Sequence, residues 1–163
     1  MPRLPPVLLA CLLGAALLAG CGEEGAAAGA TVRIYVSAPL RGDEAAAGRK
    51  LCAGARDEAA RSGGKVGDLR LEVVCLDAAG DGGRWTLAQV GANARRATED
   101  STTVAYVGEP DPRAREQSRP IVDAAEIAEL GDVSGEEAVA AVVAAIREGD
   151  ASKPRDAVFQ AEG

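Results

Sequence analysis

The residues of this chain that could do chemistry are few and mostly acidic. Asp77, Asp81, Glu109 and Asp111 stand just beyond apolar, strand-like runs, so they could gather at one end of a sheet and bind a cation or an amine. Acids in such places more often cap helices or face solvent. Ser37 and Ser118 are the serines considered for nucleophilic work, but the chain contains no histidine. That excludes Ser-His-Asp and Cys-His catalysis, an HExxH zinc site and an imidazole pH switch. A serine-lysine arrangement finds no support, because Lys50, Lys65 and Lys153 stand at no motif spacing from any serine. The run Gly80-Asp81-Gly82-Gly83 follows a strand and opens a helix, as a dinucleotide fingerprint would. It lacks the third glycine and follows the second strand rather than the first, so it reads as a connection. No GxxxxGK[ST] phosphate loop is present. Cys52 and Cys75 form no CxxC, and nothing completes a metal-ligand set around them. The expectation is a protein that is not an enzyme and carries no cofactor and no metal.

Composition narrows the class. The chain has 163 residues, 47% hydrophobic but only 2% aromatic, with a formal net charge of −7. One domain is the natural expectation at this length. Much of the apolar fraction is alanine, so each buried side chain contributes little area and the stability margin should be thin. An isoelectric point near 4.7 argues against nucleic acid as a partner, since phosphate binding needs clustered Lys and Arg.

The N-terminus reads as an address. Arg3 precedes an apolar run from Val7 to Leu18, whose helical rise of about 18 Å is too short for a hydrocarbon core of roughly 30 Å. This fits a signal peptide over residues 1–20. Leu18-Ala19-Gly20-Cys21 has the order of a bacterial lipobox, which makes Cys21 the expected lipidation site and first mature residue. An ordinary secretory signal with an incidental cysteine is the alternative. Residues 21–30, rich in Ala and Gly, read as a tether. Localisation at the outer face of the cell membrane follows as an expectation. In that oxidising compartment Cys52 and Cys75 could form one disulfide, worth about 3 kcal/mol, or remain two buried thiols.

Elements alternate through the rest of the chain. Strands are expected at 31–37, 69–76 and 103–107, with a short fourth at 127–130. Helices are expected at about 43–61, 84–99 and 113–125. Such alternation implies an α/β fold, an open parallel sheet of about four strands with helices on both faces. A ligand would meet it beyond the carboxyl ends of the strands, at 37–42, 77–83 and 108–113. Ser134-Gly135-Glu136-Glu137 fits a capping box, and Val139, Val142, Val143 and Ile146 then recur at helical spacing until Gly149. A short last helix is expected near 154–160.

Several stretches together carry a family resemblance. Val32 to Gly42 looks like a first strand and its Pro-Leu-x-Gly turn, and Gly48 to Ala60 followed by Gly63-Gly64 like a first helix and its stop. Leu71 to Asp77, Val104 to Gly108 and Pro120 to Ile127 follow in the same order. The pattern over about 31–130 resembles the first lobe of the type I periplasmic solute-binding proteins, in particular the leucine/isoleucine/valine-binding branch of ABC transporter receptors. The tail, 131–163, resembles the helices near that family's far C-terminus, as though the middle and second lobe were deleted.

The resemblance implies a solute-binding function in amino-acid ABC transport. Its partners would be a small amino-acid-like ligand, an ABC permease or a second lobe or copy, and the membrane through the lipid. It implies that Cys52 and Cys75 sit where members of that branch can carry a disulfide. The implied ligand face includes Ser37, Arg41, Glu109, Asp111 and Arg113, with Arg41 and Arg113 as carboxylate partners. Pro112 stands where the family offers a hydroxyl to the ligand, so impaired binding is expected. The alternative is a non-transport surface or interaction lipoprotein, a degenerate remnant of a binding protein.

Overall fold

The computed structural model describes residues 29–162. The expected signal peptide, Cys21 and the tether up to residue 28 lie outside the described residues. Ten elements follow: β1 (Thr31–Ala38), α1 (Ala45–Arg61), β2 (Lys65–Val66), β3 (Leu69–Asp77), α2 (Leu87–Glu99), β4 (Thr103–Val107), α3 (Pro112–Asp123), β5 (Ala128–Leu130), α4 (Gly135–Glu148) and α5 (Pro154–Glu162). The strands form one sheet in the order β2-β3-β1-β4-β5. β3, β1, β4 and β5 are parallel, as the alternation of strands and helices requires, and β2 pairs antiparallel with the start of β3. The sheet thus has five strands where about four were expected. β2 is two residues long, too short to show any alternation in sequence.

Both faces of the sheet are covered. Val32, Ile34 and Val36 of β1 point to one face and pack with Cys52, Ala55 and Ala59 of α1, Val139, Val142 and Ile146 of α4, and Val158 of α5. Tyr35 and Tyr106 point to the other face, with Ala94 and Ala97 of α2 and Val122 of α3. α4 therefore shares its core with β1 and β4. Cys52 and Cys75 form a disulfide joining α1 to β3, with their Cα atoms 6.0 Å apart.

Helix starts follow their caps. Asp111 accepts from the Arg113 N–H at 2.9 Å, and Pro112 occupies the first helical position, where a missing N–H is harmless. Ser134 and Glu137 form the expected capping box. α2 begins later than its expected start near 84. Gly80 N–H donates to the Arg84 carbonyl at 2.9 Å, a bridge joins Ala79 to Trp85, and Thr86 then caps the helix.

At the amino ends of the strands, Asp100 is the polar hub. It accepts from the Arg33 guanidinium at 3.0 Å, the Tyr35 hydroxyl at 2.8 Å, and the Thr102 main-chain N–H and hydroxyl at 2.9 and 2.6 Å. Burial alone would raise its pKa, but the Thr102, Tyr35 and Arg33 hydrogen bonds prevail and hold it well below the usual carboxylate range.

The α1–α4 contact is set by glycine. A Cβ on Gly135 would lie 2.0 Å from the Leu51 carbonyl oxygen and 2.5 Å from the Ala55 nitrogen, both backbone atoms of α1. A Cβ on Gly54 would meet only the Glu136 carboxylate, the movable end of a side chain, at 2.3 Å. Gly135→Ala should therefore destabilise by about 3 kcal/mol through overpacking, whereas Gly54→Ala should change stability by less than about 1 kcal/mol. Urea unfolding of the two variants checks this, and equal losses would contradict it.

Candidate functional site

The carboxyl ends of β1, β3 and β4 lie side by side, with Val36 level with Cys75 and Val107. The loops that leave them, 39–44, 78–86 and 108–111, meet over this edge. Asp77 is their brace. Its Oδ1 accepts from the Leu40 and Ala79 N–H groups, both at 2.9 Å, and its Oδ2 pairs with Arg41 at 3.0 Å. Gly42 and Gly83 press against each other where the first two loops cross. Both have φ near +74°, and a Cβ on Gly42 would fall 2.3 Å from the Gly83 Cα.

Between these loops and the first turn of α1 opens a cleft of about 450 Å³. Pro39, Trp85 and Pro110 supply its apolar walls, Ala46 and Ala47 lie on the α1 side, and Asp43, Glu44, Glu109 and Asp111 complete the lining. The Trp85 indole N–H donates to Asp111 at 3.0 Å, which fixes the ring as a wall. A second depression, about 430 Å³, lies at the opposite end of the sheet between β1, β4 and α5. Its guanidinium, Arg155, is spent on the carbonyls of Thr103, Ser101 and Asp100. The first cleft stands where open α/β sheets bind ligands.

The sequence-predicted residues separate here. Glu109 and Asp111 line the cleft, and Arg113 stands beside it. Arg113 pairs with Asp111 at 2.7 Å, and that guanidinium holds the Asp111 carboxyl well below the usual range. Arg41 is spent on Asp77 and on the Ala79 carbonyl, the latter at 2.7 Å. Ser37 is fully buried behind the cleft floor, accepting from Asn93 at 2.9 Å and donating to Glu109. The acids do not gather into one cation site: Asp77 braces loops, Asp81 is exposed, Glu109 is buried and Asp111 caps α3. Among the described residues no group of three or more ligating side chains could hold a metal.

Trp85, Pro39 and Pro110 are the lining that residue-type reasoning missed. Trp85 carried a signal, as the single tryptophan of the chain, placed where a glycine-rich loop ends. Asn93 carried none, because its partner lies 56 residues away.

No protein-family model and no curated protein matches the chain. Solved structures do. A leucine-binding protein from Thermotoga maritima aligns with a TM-score of 0.54 at 18% identity, over 80% of this chain and 45% of that one. An ABC transporter solute-binding protein from R. palustris, in complex with 4-hydroxybenzoate, aligns with a TM-score of 0.55 at 18% identity, over 82% and 44%. A branched-chain amino acid transporter substrate-binding protein from Streptococcus pneumoniae, in complex with isoleucine, aligns with a TM-score of 0.51 at 21% identity, over 62% and 28%. The chain thus spans less than half the length of these proteins, and its fold is that of a lobe of theirs.

The Asp77 brace can be tested on its own. Asp77→Ala should cost about 2 kcal/mol by orphaning two N–H donors, whereas Asp77→Asn keeps one acceptor oxygen and should cost less than about 1 kcal/mol. Urea unfolding followed by Trp85 emission measures both, and equal losses would point to the Arg41 pair instead.

Proposed function

We propose that the chain is a lipid-anchored, extracytoplasmic solute-binding lobe, related to branched-chain amino-acid ABC transporter receptors, with weakened ligand binding. In this reading residues 1–20 are the signal peptide, 21–30 the tether, 31–130 the lobe and 131–163 its C-terminal helical segment. The cleft receives a small amino-acid-like solute, and an ABC permease is the partner. The observation that carries the reading is the cleft itself, a partly apolar hollow beside a fixed indole at the strand ends of a lobe with this fold. The reading is of binding and not of turnover, since Ser37 and Ser118 are both fully buried.

Weak binding follows from two features. The described residues enclose a ligand from one side, so little of its surface would be desolvated. Arg41 and Arg113 already hold Asp77 and Asp111, so a ligand carboxylate would have to displace an existing partner. The same pairing favours a second reading, a surface lipoprotein that has lost transport and meets another protein or copy through this face.

Titration of leucine, isoleucine, valine and 4-hydroxybenzoate, followed by calorimetry and Trp85 fluorescence, separates the readings. Saturable binding near 1 mM, about −4 kcal/mol, is expected. Micromolar binding by the monomer would overturn the weakened site, and no response together with a dimer in sedimentation would favour the interaction protein. The anchor has its own test: fatty-acid label should enter the chain and membrane fraction in a bacterial host and vanish in Cys21→Ser. Label retained by that variant would refute lipidation at Cys21.

A further inference from the structure

Glu109 is a carboxyl with no solvent exposure, and among the described residues no cation pairs with its side chain. Its Oε1 accepts from the hydroxyls of Ser37 in β1 and, at 3.2 Å, Tyr106 in β4. Ser37 in turn accepts from Asn93 of α2, so its one proton goes to Glu109. Oε2 faces Ser118 of α3 at 3.4 Å. The Ser118 hydroxyl also has one proton, and its shortest contact, 2.5 Å, is to Oε1 of Glu129 in β5. Glu129 is ion-paired to Arg119 at 3.1 Å, a support that the Glu109 side chain lacks among the described residues. One hydroxyl proton thus lies between two carboxyls, and of the two it is Glu109 that has neither solvent nor a cation to support a charge.

The surrounding charges agree with that count. Arg115 of α3 approaches but turns away from the side chain: its guanidinium donates to the Glu109 main-chain oxygen at 2.8 Å and pairs with Asp132 at 2.6 Å. On the cleft side the neighbouring lining groups are carboxylates, Asp43 and Glu44 at the start of α1 and Asp111 in the loop itself. Burial, together with Glu129, raises the Glu109 carboxyl despite hydrogen bonds from the Ser37 hydroxyl, its own main-chain N–H and the Tyr106 hydroxyl, and burial likewise keeps the Tyr106 phenol a donor.

We propose that Glu109 is carried as the neutral acid in the folded protein and acts as a proton-held latch, fixing the 108–111 loop that forms one wall of the cleft. Loss of the proton leaves a buried, uncompensated carboxylate, which regains water only by pulling this loop outward. The inference does not depend on which solute, if any, the cleft receives.

A carboxyl of this kind binds its proton more tightly folded than unfolded. Its contribution to stability is full below the unfolded value of about 4.3 and is lost as pH rises through the folded pKa. Melting of the full chain should therefore fall relative to Glu109→Gln as pH rises from about 5 to 8, with a gap of several degrees opening between them. A gap that stays constant across this range would overturn the latch. Infrared difference spectra at pH 7 give an independent answer. A protonated-carboxyl band present in the wild-type chain and missing from Glu109→Gln supports the proposal; should that variant not fold, the band in the wild type alone decides. Absence of the band in the wild type, or its persistence in folded Glu109→Gln, would refute it.

Discussion

A sheet covered on both faces by helices as rich in alanine and glycine as these can exclude water only if the helix backbones come very close. Dispersion falls away within an ångström of lost contact, and there are few large side chains here to bridge a wider gap. The contact of α1 with α4 meets that demand with Gly135 set directly against the α1 backbone and Gly54 beside it. On the opposite face Ala94 and Ala97 play the matching part under Tyr35 and Tyr106. Helix positions are thus dictated by what is missing from the side chains, and the strand edge that carries the cleft inherits its shape from them.

Three carboxylates finish the two ends of the sheet, each by a different balance of burial and partners. Asp100 gathers donors and remains strongly ionised at the amino end. Asp77 turns its two oxygens to different loops and so ties the β1 and β3 exits together. Glu109 lies deepest, and the other side chains that reach its carboxyl offer it hydroxyls. Similar chemistry therefore serves as an anchor, a brace and a proton store, according to how many N–H groups and cations reach it.

Much of this architecture was legible in the sequence because it rests on local periodicity. The strands at 31–38, 69–77 and 103–107, the order of helices and the Ser134 capping box all depend on neighbours within one or two turns. The site was harder to read. Ser37 and Glu109 were expected at a ligand face, yet their partners Asn93, Tyr106 and Ser118 come from three other elements and draw both inside. Arg41 and Arg113 were expected to await a carboxylate, and carboxylates of the chain itself already occupy them. Pairing across separate loops is a tertiary fact with no periodic trace.

The disulfide between Cys52 and Cys75 spans the turn that joins α1 to β3. That connection, β2 included, carries exposed Gly63, Lys65, Gly67 and Asp68, and exposed connections are where proteases cut. A cut there would break the chain without dividing the molecule. Both halves would stay covalently joined, α1 would remain docked, and the nick would come to light only once the sulfurs were reduced. The staple is thus less a source of rigidity than an insurance against being severed.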